Sequence, residues 1–303
     1  MAEAELVIET RGLTKVFNRF AAVEDLDLRV PRGALYGFLG PNGAGKSTTI
    51  RMLLGLMGPT SGTIHLFNRE LAKHRLEILR RVGSLVEAPS YYEHLTAFEN
   101  LEITRRILQL PKGEIDKALE IVKLAKWKNQ RVREFSLGMK QRLGIAQALL
   151  GKRELLILDE PTNGLDPAGV REIRELIVSL PERMNATVLI SSHILSEIEL
   201  IADHVGIIHQ GKLLFQGTLA ELKARGREEI IIKANPLRQA AEFLKGKGYA
   251  VAIKGDKLCL PGKNTDLEAV NRELVLKGFG VSHLSERPGN LEDIFLQLTG
   301  EVA

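Results

Sequence analysis

Residues 40 to 47 read Gly40, Pro41, Asn42, Gly43, Ala44, Gly45, Lys46 and Ser47, between the apolar stretch Ala34 to Leu39 and the stretch Thr48 to Leu56. A chain of phosphates is a dense anion that must be wrapped closely by backbone N–H groups. Gly40, Gly43 and Gly45 allow sharp turns and a close approach without side chains in the way. Ser47 and Thr48 are expected to open a helix whose N-terminus carries partial positive charge, and Lys46 adds a full charge able to reach the outer phosphates. The Ser47 hydroxyl is the expected Mg²⁺ ligand. The competing reading, a plain glycine turn, is weakened by the strand before it and the helix after it.

Two further stretches carry groups suited to the same chemistry. Leu155 to Leu158 is an apolar strand that ends in Asp159 and Glu160. There Asp159 can hold Mg²⁺ through water, and Glu160 can polarise the water that attacks a terminal phosphate. Ser191-Ser192-His193 ends another core strand, which places an imidazole near the same region. Ser136 opens a helix running to Leu150, either as a second anion-binding N-terminus or as an ordinary N-cap. Around it lies a basic run from Lys123 to Arg142, of a kind that is usually a solvated face. Phe17, on the first hairpin, offers either a ring against a nucleobase or a core side chain.

The elements that must position these residues follow from periodicity. Leu6 to Phe17 and Ala21 to Val30 read as strands, the second with Leu26, Leu28 and Val30 alternating with Asp25, Asp27 and Arg29. Thr63 to Phe67 and Val82 to Val86 are further strands, with a helix from Leu71 to Arg80. From about 89 to 153 the spacing turns helical: Leu95 to Leu110, Lys112 to Lys126 and Met139 to Leu150. Strand and helix then alternate from Leu155 to Gln216, which predicts a mainly parallel sheet with ligands at the carboxyl ends of its strands. After Gly226 a βαββαβ order runs from Glu229 to Leu284, with a last helix capped by Asn290, and suggests a small separate domain of ferredoxin-like type. The expected boundaries are residues 1–88 and 154–222 for the core, 89–153 for a helical insertion and 223–303 for the C-terminal domain.

At 303 residues the chain has room for more than one unit with its own core. Its net charge of +4 and hydrophobic fraction of 44 per cent describe a globular protein too weakly basic to imply nucleic acid. No run approaches the ~18 apolar residues of a membrane span, and Met1 to Glu9 lacks the pattern of a signal peptide, so a cytoplasmic chain is expected. The single cysteine, Cys259, alternates with Leu258 and Leu260 and reads as a packed strand residue.

Together these motifs resemble the ATP-binding subunit of an ABC transporter over residues 1 to about 222. Gly40 to Ser47 matches the Walker A loop, Leu155 to Glu160 the Walker B strand, and Asn163-Gly-Leu-Asp166 the D-loop. His193 matches the switch histidine and Phe17 the adenine-stacking aromatic position. Ser136-Leu-Gly138-Met-Lys stands where the family has LSGGQ, and keeps the Ser and Gly that face phosphate in the family. Where the family usually has a Gln, between the core and the helical subdomain, this chain has Glu87. That departure resembles the subgroup exporting bacitracin-type or lantibiotic peptides.

The resemblance implies a P-loop NTPase fold of the α/β class: a RecA-like mainly parallel sheet, an antiparallel β subdomain and an inserted helical subdomain, followed by the small C-terminal α+β domain. It implies ATP and Mg²⁺ as cofactors, with Glu160, His193 and Lys46 catalytic. Ser47, Asp159 and Glu87 would serve the metal, and Ser136, Gly138 and Asp166 the nucleotide. It implies a homodimer, or a paired ATP-binding subunit, closing head to tail on ATP. The partner would be an integral membrane permease subunit, with this chain peripheral on the cytoplasmic side of the membrane, exporting a drug or antimicrobial peptide. The alternatives are a soluble ABC-type ATPase acting on nucleic acid or ribosomes, and a P-loop switch or kinase. The first usually carries tandem cassettes or long coiled coils, and the Ser136 stretch argues against the second.

Overall fold

The structure, a computed structural model, describes residues 5–86, 90–226, 229–262, 265–287 and 291–299. Its contacts divide the chain into two units, Met1–Leu219 and Ala220–Ala303.

The first unit is built on two sheets. The larger runs in the order Lys212–Thr218, His204–His209, Leu35–Leu39, Thr187–Ser192, Leu155–Asp159, Val82–Leu85. Its neighbours are parallel except for the edge pair Lys212–Thr218 and His204–His209. Every residue of the three central strands is buried, as a sheet covered on both faces requires, which is why these strands read as continuous apolar runs.

The smaller sheet is antiparallel, in the order Phe20–Leu26, Leu6–Phe17, Ser61–Leu66, Arg69–Glu70, with Arg29–Pro31 also pairing on Leu6–Phe17. The single strand expected over Ala21 to Val30 is therefore two. The break is bridged by a side chain from a different strand: the buried Thr10 hydroxyl donates to Leu26 O at 2.6 Å and accepts from Leu28 N–H at 2.7 Å, filling the gap in the ladder.

Between Val82–Leu85 and Leu155–Asp159 the chain leaves the sheet for the helices Ala97–Ile107, Gly113–Ile121 and Leu137–Leu149. The first is shorter than expected because Thr96 and Glu99 form a capping box at its start, and Gln109 takes a positive φ of 55° just past its end. The second stops before Lys123, whose φ of 58° turns the chain into a 3₁₀ turn at Ala125–Trp127. The third packs directly on the edge strand at Gly83, where a Cβ would stand 2.0 Å from Ala148 O. Only glycine admits that approach.

The second unit has a four-stranded antiparallel sheet in the order Ala252–Lys254, Lys257–Pro261, Glu229–Asn235, Gly280–Arg287. Its first and third strands in chain order lie at the centre, the ferredoxin-like arrangement. The helices Leu237–Gly246 and Leu267–Leu276 close its core with Ala240, Leu244 and Leu274 against Ile230, Ile232, Leu258 and Leu260. Cys259 is a buried strand residue. Asn290, expected to cap the last helix, lies outside the described residues. Among the described residues no helix is long and apolar enough to cross a membrane.

Candidate active site

Strand Leu35–Leu39 runs into the glycine loop, whose shape is forced by close backbone neighbours. A Cβ at Gly40 would lie 2.3 Å from Ile208 O, and one at Gly45, where φ is 109°, would lie 2.5 Å from Ala22 O. The helix that follows is Lys46–Leu53, so it opens at Lys46 rather than at Ser47 or Thr48, with Gly45 as its N-cap. No side chain caps it, which leaves the N–H groups of its first turn for a ligand. Beside the loop lies a cleft of about 370 Å³ lined by Phe17, Phe20, Ala22, the loop residues Pro41, Asn42, Gly43 and Gly45, then Lys46, Ser47, Thr48 and Glu160.

Lys46 is 5 % exposed, so its charge must be answered locally. Its Nζ donates to Gly40 O at 2.6 Å and Pro41 O at 3.3 Å, and stands 3.3 Å from Glu160 Oε1. The other oxygen of that carboxylate, Oε2, is 2.8 Å from His193 Nδ1. Parallel pairing of Leu155–Asp159 with Thr187–Ser192 puts Asp159 beside Ser191, and the Ser191 hydroxyl donates to Asp159 Oδ1 at 2.5 Å. Glu160 takes a positive φ of 47° as the chain leaves the strand. Thus Lys46, Asp159, Glu160 and His193, read from three separate stretches, meet at the carboxyl ends of three adjacent strands.

At the other end of the cleft are two aromatic rings. Phe17 and Phe20 pair across the first hairpin and are 42 % and 66 % exposed, which rules out core packing for Phe17. Lys15 Nζ lies 5.4 Å from the centre of the Phe17 ring. Phe20 is not among the residues that the sequence motifs single out. Its signal in the sequence was its position across the short Asn18-Arg19 turn from Phe17.

Ser136, Gly138 and Asp166 do not line this cleft. Ser136 is the N-cap of Leu137–Leu149, its hydroxyl accepting from Met139 N–H at 3.2 Å, and the space over Gly138 is open except for Ser136 Oγ at 4.0 Å. Asp166 caps Pro167–Met184 by accepting from Gly169 N–H at 3.0 Å. Glu87 lies outside the described residues. The chain just after it is tied to the Ser136 helix: Tyr91 OH donates to Lys140 O at 2.6 Å, and Lys140 Nζ meets Glu93 at 2.7 Å. Arg142 on that helix pairs with Glu172 on Pro167–Met184.

Comparison with known proteins matches residues 23–163 to the family described as ABC transporter. The bacitracin transport ATP-binding protein BcrA of Bacillus licheniformis is 47% identical over 304 residues, covering 97% of this chain and 97% of that protein. This chain belongs to the ABC transporter family. The lantibiotic transport ATP-binding protein SrtF of Streptococcus pyogenes is 41% identical and covers 69% of this ABC protein and 90% of its own length. Among solved structures, cbiO1 of Clostridium perfringens, part of the ABC transporter complex cbiONQ, superposes with a TM-score of 0.68 at 27% identity. It covers 73% of this chain and 92% of its own. The P-loop NTPase fold and the membership in the ATP-binding subunits of transporters stand on these likenesses together with the sheet order.

Proposed function

We propose that this chain binds ATP with Mg²⁺ and hydrolyses it to ADP and phosphate, driving a separate integral membrane permease subunit from the cytoplasmic face of the membrane. The observation that carries the reading is the Glu160 carboxylate, held between Lys46 Nζ at 3.3 Å and His193 Nδ1 at 2.8 Å at the mouth of a glycine-loop cleft. Phe17 and Phe20 offer faces to the base, and the loop and first-turn N–H groups take the phosphates. The arriving terminal phosphate competes with Glu160 for Lys46. Released from Lys46 but still held by His193, Glu160 is free to orient the attacking water and accept its proton.

Among the described residues no cluster of His, Cys, Asp or Glu is large enough to hold a metal unaided. The Ser47 hydroxyl on the cleft wall and the Asp159 carboxylate at a neighbouring strand end are oxygen donors of the kind Mg²⁺ takes, and they would hold it, Asp159 through water. When bound, the ion supplies neutralisation of charge on the phosphates. Glu87 is proposed as a further contact to the ion or its water.

Ser136, Gly138 and Asp166 do not line the cleft that holds Lys46, so a second cassette, facing head to tail, is proposed to bring them to the nucleotide. A homodimer or a pair of related subunits serves equally. Closure completes the charge clamp, hydrolysis removes the bridge, and the segment from Glu87 to Tyr92 transmits reopening to the permease. The cargo is proposed to be a drug or antimicrobial peptide, on the strength of the bacitracin and lantibiotic relatives.

The deciding experiment is co-purification of the tagged chain from native membranes in mild detergent. A multi-spanning membrane protein in stoichiometric amount supports transport. Recovery with only ribosomes or nucleic acid overturns it and leaves the ATPase.

A further inference from the structure

Ser191 is fully buried at the end of strand Thr187–Ser192, in register with Phe38 on one neighbouring strand and with Asp159 on the other. Its single hydroxyl makes two bonds in opposite senses. It accepts the Glu160 backbone N–H at 2.9 Å and donates to Asp159 Oδ1 at 2.5 Å. The senses are fixed by chemistry: an amide N–H can only donate, and a buried carboxylate oxygen at that distance takes the one hydroxyl proton.

Asp159 and Glu160 are consecutive, so this oxygen closes a ring across the peptide bond that joins them. Two quantities are set by that ring. One is the direction of the Asp159 carboxylate, whose second oxygen is left for another partner. The other is the backbone of Glu160, which sits in the left-handed region at a φ of 47°, unfavourable for a residue with a Cβ. Glu160 O in turn accepts from Asn163 N–H at 3.1 Å, so the residue is held on both sides. Remove the Ser191 hydroxyl and one partly buried N–H and one buried carboxylate oxygen lose their partner together.

We propose that Ser191 is a positioning residue for the phosphoryl chemistry: one hydroxyl aims Asp159 at the cation and fixes the backbone from which Glu160 reaches Lys46 and His193. This rests on the reading that Asp159 serves Mg²⁺. It makes a separable prediction, because a strand-end serine that merely filled space would alter nucleotide binding to the same degree with and without metal. A serine acting through Asp159 alters only the metal-dependent part.

The test is calorimetric titration of ADP, which is not turned over, into the full chain in excess EDTA and in Mg²⁺, for the wild type, Ser191→Ala, Ser191→Thr and Asp159→Ala. Ser191→Ala is expected to bind ADP like the wild type in EDTA and about tenfold more weakly than the wild type in Mg²⁺, the scale of a hydrogen bond to a charged group. Ser191→Thr, which keeps the hydroxyl, is expected to regain the metal-dependent gain. Wild-type affinities for Ser191→Ala in both buffers, or an equal loss in both, overturn the proposal. Asp159→Ala separates the two readings. If Asp159→Ala loses the Mg²⁺ gain and Ser191→Ala does not, the role of Ser191 fails alone. If Asp159→Ala keeps that gain, the assignment of Asp159 to the cation fails first.

Discussion

Glu160 and His193 are joined by a 2.8 Å contact between Oε2 and Nδ1, although they end different strands and are far apart in the chain. An imidazole in that position orients the carboxylate and leaves its ring Nε2 for a second contact. Glu160→Gln keeps the shape and removes both the proposed base and the negative charge beside Lys46. Hydrolysis is expected to fall by at least ~10²-fold, while ATP affinity holds or rises because Lys46 no longer has a competing partner. Single-turnover hydrolysis with size-exclusion chromatography in ATP checks both parts: the variant should accumulate as an ATP-bound dimer. Hydrolysis at the wild-type rate removes Glu160 as the base.

Phe17 and Phe20 both line the cleft, and neither side chain carries a hydrogen-bonding group, so their proposed contribution to the nucleotide is stacking on the base. Each ring is expected to contribute ~0.5–1.5 kcal/mol of stacking, so Phe17→Ala and Phe20→Ala should each weaken ATP binding by about two- to tenfold. Inorganic triphosphate, which lacks the base, should bind both variants as it binds the wild type. Equal losses for ATP and triphosphate would show instead that the hairpin shapes the phosphate loop.

How much of this site is legible without coordinates depends on whether a residue's partners are near it in the chain. Gly40 to Ser47 is readable because a phosphate cradle is made from consecutive backbone groups. Asp159 and Glu160 are readable because an apolar run ending in carboxylates marks the end of a buried strand. Ser191 is not, since its importance comes from register with Asp159 across two strands. Phe20 is in the same position, because the pairing that sets it opposite Phe17 is fixed by the turn and not by composition. The fold divides the same way. Alternating strands and helices announce a parallel sheet, yet nothing local says that Leu35–Leu39 lies between His204–His209 and Thr187–Ser192. The break in the strand expected over Ala21 to Val30 is bridged by one side-chain hydroxyl, that of Thr10, from a different strand.

Tyr36 lies in the central strand with its hydroxyl buried and, among the described residues, without a hydrogen-bond partner. Burial pushes its phenol well above the ordinary tyrosine range. The neighbouring chain gives way to it: a Cβ at Gly206 would stand 2.4 Å from the hydroxyl oxygen. Tyr36→Phe retains the ring and deletes the unpaired group, and is expected to stabilise the first unit by ~1 kcal/mol, a rise of about 2–4 °C in Tm. A fall in Tm would mean that the hydroxyl has a bound water as its partner.

At the opposite end of the sheet from the cleft, Arg81 holds Glu154 with two bonds of 2.7 and 2.8 Å, and Arg32 adds a third at 3.3 Å. The Arg81 guanidinium also lies 3.8 Å from the centre of the Phe67 ring, so the clamp joins the start of Val82–Leu85 to the start of Leu155–Asp159 and to the antiparallel sheet. Hydrogen bonding to Arg81 holds the Glu154 carboxyl down at about 2, from an ordinary value of 4.5. Its folded value being the lower one, the group stabilises the fold fully above pH 4.5, and that contribution is lost as pH falls through about 2. The pair is partly open to solvent, and screening reduces its worth to ~1 kcal/mol. Glu154→Gln should therefore lower Tm at pH 7 by a few degrees and converge with the wild type as the medium is taken from pH 4.5 toward pH 2. Thermal melts of both proteins across that range check the sign. A gap that widens on acidification contradicts it, because a carboxylate with a depressed value can only lose stabilising power as it takes up its proton.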